Sequence, residues 1–204
     1  MSTLILLYVI SWSIHMITVL LQMPQTFYRW TKIITALLFV IIGILNFHPV
    51  MLITLMLFFS GDVLLAFANG GTIKHWLMWG MLCFWLGHIG LIFYIISCQT
   101  FEYLSLIMGM ILIFLLLVIK KKLTAIDFRG LFPILLVYGY TLGILGSLAI
   151  LGVSASPLLT SGILIFIVSD ICLIFWYFYP QCPKTVKILN VITYFGAVLL
   201  IALS

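Results

Sequence analysis

The chain has 204 residues, of which 66% are hydrophobic and only 6% charged, and its mean hydropathy is +1.40. A soluble domain needs about 25% charged residues to cover its surface, so the composition excludes a water-soluble globular protein and points to an integral membrane protein. The net charge of +5 fits contact with anionic lipid headgroups and leaves nucleic acid an unnecessary partner.

Apolar runs of about 20 residues are long enough to cross the roughly 30 Å hydrocarbon core. Eight are predicted: Thr3–Leu21, Thr31–Leu45, Pro49–Ala68, His75–Ser97, Phe101–Ile119, Leu131–Gly152, Pro157–Phe178 and Lys187–Leu203. The expected fold class is an all-α membrane protein, with residues 1–204 forming a single eight-helix transmembrane domain with short loops.

The first span carries His15 and is read as retained, because it lacks the basic start and small-residue exit of a signal peptide. The second opens with Lys32 and continues through Thr35. The third, LMLFFSGDVLLAFA, holds Asp62 in an otherwise apolar setting. His88 lies in the fourth. Span five, with few polar residues in its central part, reads as a lipid-facing wall, and span six contributes Tyr138. The seventh, GILIFIVSDICLIFWYF, holds Ser169 and Asp170, and the eighth carries Asn190 and Tyr194. The four cysteines make no CxxC pair and no metal spacing.

Asp62 and Asp170 are two of only four acidic residues. A carboxylate within a membrane span costs about 2.5–3.5 kcal/mol on insertion scales and ordinarily faces the bundle interior, where it marks a functional site. The bland role for such a group is a polar bond between helices. All nine Lys and Arg residues border odd-numbered loops. The positive-inside rule then puts the odd loops in the cytoplasm and both termini outside. Short loops and the lack of tails point to a bacterial inner membrane.

Depth along a helix follows from about 1.5 Å per residue. Counted from the cytoplasmic ends, Asp62 and Asp170 lie at about 10 and 12 Å, beside His15, Tyr138 and Tyr194 at about 10 Å. Asn190 and Thr35 fall nearer the inner surface, Lys32 at the mouth, and His88 deeper, at about 20 Å. The expectation is a polar chamber open toward the cytoplasmic leaflet.

Several short motifs in order resemble the YhhN, or lysoplasmalogenase-like, family of membrane proteins. They are Ser60-Gly61-Asp62-x-x-Leu65, Phe84-x-x-Gly87-His88, Gly162-x-Leu164-x-Phe166-x-x-Ser169-Asp170-x-x-Leu173 and Thr193-Tyr194-Phe195, with Lys32 at the start of span two. Ile33, Leu91 and Val198 depart from the family pattern, where proline, tyrosine and glutamine are usual. The resemblance implies an ether hydrolase that cleaves the vinyl ether bond of lysoplasmalogen, releasing a fatty aldehyde and glycerophosphocholine or glycerophosphoethanolamine. Its partners would be the lysophospholipid substrate and bilayer lipids, with no cofactor and no metal.

Two carboxyl groups suit that chemistry. Vinyl ethers hydrolyse by protonation of the β carbon, and water then attacks the resulting oxocarbenium ion. Burial favours the neutral, proton-donating form of a carboxyl group, while a second carboxylate stabilises the cation and takes a proton from water, as in glycosidases. Either aspartate fits either role. Lys32 would sit near the lipid phosphate, with His88, Tyr138 and Tyr194 orienting water or the ether oxygen, and Asn190, His15 and Ser169 lining the site. The alternative is a proton-coupled transporter or proton relay using the same aspartates. An intramembrane aspartyl protease would need Tyr-Asp and Gly-x-Gly-Asp motifs, which are lacking. Zinc hydrolases need about three ligating histidines, and only His15 and His88 lie within spans.

Overall fold

The computed structural model describes residues 1–46, 48–68, 70–152 and 156–204. It is all-helical: α1 (Ser2–Leu20), α2 (Gln25–Leu45), α3 (Pro49–Phe67), α4 (Lys74–Cys98), α5 (Leu104–Lys122), α6 (Phe132–Leu151), α7 (Pro157–Phe178) and α8 (Lys184–Leu203). Each is long and apolar enough to cross a membrane, so the protein is a multi-pass membrane protein of eight spans.

Proline sets many of the boundaries. It lacks the N–H that a first helical turn leaves unpaired, and its fixed φ suits that position. Pro24 and Pro183 cap α2 and α8, while α3, α6 and α7 carry proline within their first two residues. The Ser156 side chain also accepts a bond from the Leu159 amide, at 3.1 Å. Two predicted starts lay too late. Pro24 starts α2 at Gln25 rather than Thr31, and Pro183 starts α8 at Lys184 rather than Lys187. α5 runs on to Lys122, because three lysines in a last turn answer the negative end of the helix dipole.

Seven helices close a ring in the order α1, α2, α3, α4, α6, α7, α8 and back to α1, and α8 also reaches inward to α2 and α3. α5 stands outside the ring and, among the described residues, packs on α6 alone. Its buried residues are Ser105 and Gly109, in keeping with the lipid-facing wall. α6, the ring helix on which α5 packs, is the most buried span.

Apolar burial drives no association between helices already in lipid, so close packing and polar contacts hold the bundle together. A Cβ on Gly61 would meet the Phe84 ring at 2.7 Å and the Gly80 carbonyl oxygen at 3.3 Å. α3 and α4 thus touch backbone to backbone just where Asp62 projects. At the basic end, the Asp127 amide donates to the Phe178 carbonyl at 2.9 Å, and the Arg129 guanidinium donates to that of Gly71, tying three odd-numbered turns together.

Candidate functional site

Asp62 is fully buried, and its two oxygens have different partners. Lys32 Nζ of α2 lies 3.2 Å from Oδ1, and Tyr194 of α8 donates to Oδ2 at 2.5 Å. Asp170, 4% exposed, accepts a hydrogen bond from Tyr138 of α6 on Oδ2 at 3.0 Å. His88 Nε2 of α4 lies 3.6 Å from that same oxygen. The His88 ring is held among Phe58, Tyr138 and Phe166, with centroids 4.8–5.3 Å away. Each aspartate therefore has its own tyrosine and its own basic residue.

The helices bearing the two aspartates make no backbone contact among the described residues. They face each other through aromatic side chains: Phe58 and Phe166 lie 4.9 Å apart, and Phe166 and Tyr194 5.4 Å. Beside this cluster is a cavity of about 20 Å³, lined by Asp62, Asp170, Lys32, Ser169, Asn190 and Tyr194 among others. One water needs roughly 10–15 Å³ and two to four polar partners. The cavity therefore suits a single water between two carboxyl groups.

Its walls are fixed by polar bonds between helices. Asn190 Nδ2 donates to the carbonyl oxygen of Ser169 at 2.9 Å and to its hydroxyl at 3.0 Å, locking α8 to α7. His15 Nδ1 lies 2.9 Å from the Thr31 hydroxyl. Among the described residues no three His, Cys, Asp or Glu side chains gather as a metal ion would require.

Comparison with protein families matches residues 1–204 to the YhhN family. The chain belongs to the YhhN family. No curated protein and no solved structure matches it.

In this YhhN protein all nine residues singled out from the sequence come to one region. Eight line the cavity or bond directly to an aspartate that lines it: Asp62, Asp170, Lys32, His15, Ser169, Asn190, Tyr138 and Tyr194. The ninth, His88, packs against Asp170. Two placements differ from the depth count. Lys32, expected at the mouth, is buried and drawn onto Asp62, because α2 starts at Gln25 and the residue lies two turns inside it. His88, expected well above the aspartates, reaches Asp170. Thr35 bonds instead to Ser11 and Thr31, outside the cavity lining.

Tyr28 and Trp176 were not foreseen. Both are half-buried and line the cavity toward the basic-loop end. Pro24 was the signal for Tyr28, since a proline-started helix carries it inside the span. Trp176 had no comparable signal, because aromatic residues fill much of that helix.

Proposed function

We propose that this protein hydrolyses the vinyl ether bond of lysoplasmalogens, lysoplasmenylcholine or lysoplasmenylethanolamine, to a fatty aldehyde and the glycerophospho-alcohol, using Asp62 and Asp170. The observation that carries the reading is the cavity itself: it is lined by two buried carboxyl groups, with room for one water. Family membership supports it through the resemblance of the aspartate motifs.

The partners assign the roles. A charge buried in membrane needs a counter-charge, and Asp62 has one in Lys32 at 3.2 Å. Asp62 is then the carboxylate. Asp170 has the uncharged Tyr138 hydroxyl at 3.0 Å and a histidine. A protonated carboxyl group needs no cation beside it, so Asp170 is the acid.

Asp170 gives its proton to the β carbon, and the resulting oxocarbenium ion is stabilised by the Asp62 carboxylate. Water attacks the α carbon and passes a proton to Asp62, giving a hemiacetal. The hemiacetal collapses to the aldehyde as its hydroxyl proton returns to Asp170. Asp62 delivers its proton to the departing glycerol oxygen, and both groups regain their starting states. Tyr194 and Lys32 hold Asp62, and Tyr138 and His88 orient Asp170. The Asn190–Ser169 bond fixes the wall, and His15 closes the α1 side. Lys32, held by Asp62, acts as a counter-ion more than as a phosphate ligand.

The test is aldehyde release by the purified protein in detergent from each lysoplasmalogen. Folded Asp62→Asn and Asp170→Asn proteins are assayed beside it. Aldehyde from the wild type and from neither variant is expected. No aldehyde from a folded wild type on either headgroup would overturn the reading and leave the aspartates to a proton relay.

A further inference from the structure

A second cavity, about 200 Å³, lies between α4, α5, α6 and α7. It holds ten times the volume of the polar one, and its character is the opposite. Leu115, Leu116 and Ile119 of α5 face Ile167, Ile171 and Ile174 of α7 across it. Its wall is almost wholly apolar, and Tyr138 and Asp170, which bond to each other at 3.0 Å, are among the residues that line it. Phe84, Asp170 and Leu173 line both cavities. Asp170 therefore stands at the junction of a polar pocket and an apolar one.

The helix packing explains the gap. α5 meets α6 tightly near Gly109, where a Cβ on Gly143 would lie 2.7 Å from the Gly109 Cα. Among the described residues the α5 backbone makes no close approach to that of α4 or α7. Between its second half and α7 lies the slot, whose lip carries exposed Leu115 and Ile171, 46% and 51% accessible. In a membrane that lip faces lipid tails.

We infer that this slot is the seat of the substrate's single hydrocarbon chain, entered sideways from the bilayer between α5 and α7. The inference rests on the reaction proposed above and deepens it. The chemistry of the bond fixes the match. In a vinyl ether both carbons belong to the chain: the α carbon carries the ether oxygen and lies next to the glycerol, and the β carbon lies one atom further along the chain. A chain in the apolar slot puts the β carbon beside Asp170, which lines the slot. The α carbon then turns toward the cavity that Asp62 and Lys32 line. Apolar cavities stay dry, so the proton of Asp170 meets carbon rather than solvent on that side. A chain of a diacyl lipid would bring a second tail with it, and the slot has room for one.

Two variants fill the slot from its lipid-exposed lip, Leu115→Trp and Ile171→Trp. The first readout is aldehyde release from long-chain and short-chain lysoplasmalogens. A chain drawn from the bilayer is already in hydrocarbon, so an indole in the slot acts by steric exclusion rather than by lost apolar transfer. The variants are expected to lose about tenfold in kcat/KM on the long chain, and little on the short one. The second readout does not depend on turnover: photolabelling by a lysophospholipid with a diazirine at the chain end, mapped by mass spectrometry. Labels are expected on the facing sides of α5 and α7, displaced by unlabelled lysophospholipid and lost in both variants.

Hydrolysis by the wild type, with scattered or undisplaced labels and variants that keep their long-chain preference, would overturn the chain seat alone. It would make the slot ordinary lipid-facing surface. Displaceable labelling in a wild type that releases no aldehyde would keep the chain seat and sink the hydrolase.

Discussion

Asp62 and Asp170 are the same side chain, on two helices of one bundle that face each other across it, in surroundings that differ in kind. Around Asp62 lie a lysine at 3.2 Å, a tyrosine hydroxyl at 2.5 Å and a cavity with room for one water. Around Asp170 are a tyrosine at 3.0 Å, a histidine caged by aromatic rings and a wall of aliphatic side chains. One environment compensates a negative charge and the other does not. In the proposed reaction, two equivalent carboxyl groups placed in unlike surroundings take unlike tasks, one donating and one accepting a proton.

The strongest way to break this comparison is to remove each carboxyl group in turn. General acid–base groups contribute about 10²–10⁴-fold to rate, so Asp170→Asn is expected to lower aldehyde release by at least that factor. Asp62→Asn is expected to do the same, with one difference. It strands the Lys32 ammonium in the bundle, whereas Asp170→Asn strands no charge. Thermal unfolding in detergent should therefore show Asp62→Asn as the less stable protein. Equal melting temperatures would mean that the two sites do not differ in charge.

Lys32→Met sharpens the point from the other side. Breaking a buried ion pair by removing one partner costs about 3–5 kcal/mol. Combining Lys32→Met with Asp62→Asn removes both charges and should recover most of that loss. A double variant as unstable as Lys32→Met alone would show that the pair carries no charge in the folded protein.

Much of this arrangement was legible in the sequence, for a physical reason. A carboxylate in a span is so costly that its position alone announces an interior face, and helix geometry makes depth a matter of counting. That count brought Asp62, Asp170, Tyr138 and Tyr194 to one level, and the structure joins them in two tyrosine–aspartate pairs. Counting failed where it depended on a boundary. With α2 assumed to begin at Thr31, Lys32 looked like a surface residue, and its pairing with Asp62 went unseen. Depth also says nothing of direction around the helix or of side-chain reach, which is how His88 came to touch Asp170. The apolar slot left no trace, because leucines that line a cavity and leucines that face lipid spell the same sequence.

The two tyrosines test the comparison at smaller scale. Tyr194→Phe and Tyr138→Phe each remove one donor to a buried carboxyl oxygen, a loss of about 1–3 kcal/mol. Their effects on rate should differ. Lys32 still holds Asp62 after Tyr194→Phe, so the base keeps its charge and its place. Among the described residues Tyr138 is the one hydroxyl bonded to Asp170, and its loss frees the acid to turn in its socket. Tyr138→Phe should therefore cost the larger drop in kcat, and comparing kcat with melting temperature for the two variants checks it.

The smallest expected effect falls on Ser169, whose hydroxyl takes one of two bonds from Asn190 while its carbonyl oxygen takes the other. Ser169→Ala removes only the hydroxyl, and polar bonds between membrane helices are worth about 0.6 kcal/mol on average. The cavity also grows by about the volume of the lost oxygen. If Ser169 does no more than hold the wall, kcat should fall by no more than about threefold, the equivalent of that single bond. A tenfold fall with an unchanged melting temperature would place the hydroxyl on the water itself. The polar side of the site would then hold its nucleophile with Ser169 as well as Asp62, and the contrast with the apolar side, where Asp170 faces aliphatic carbon, would be sharper still.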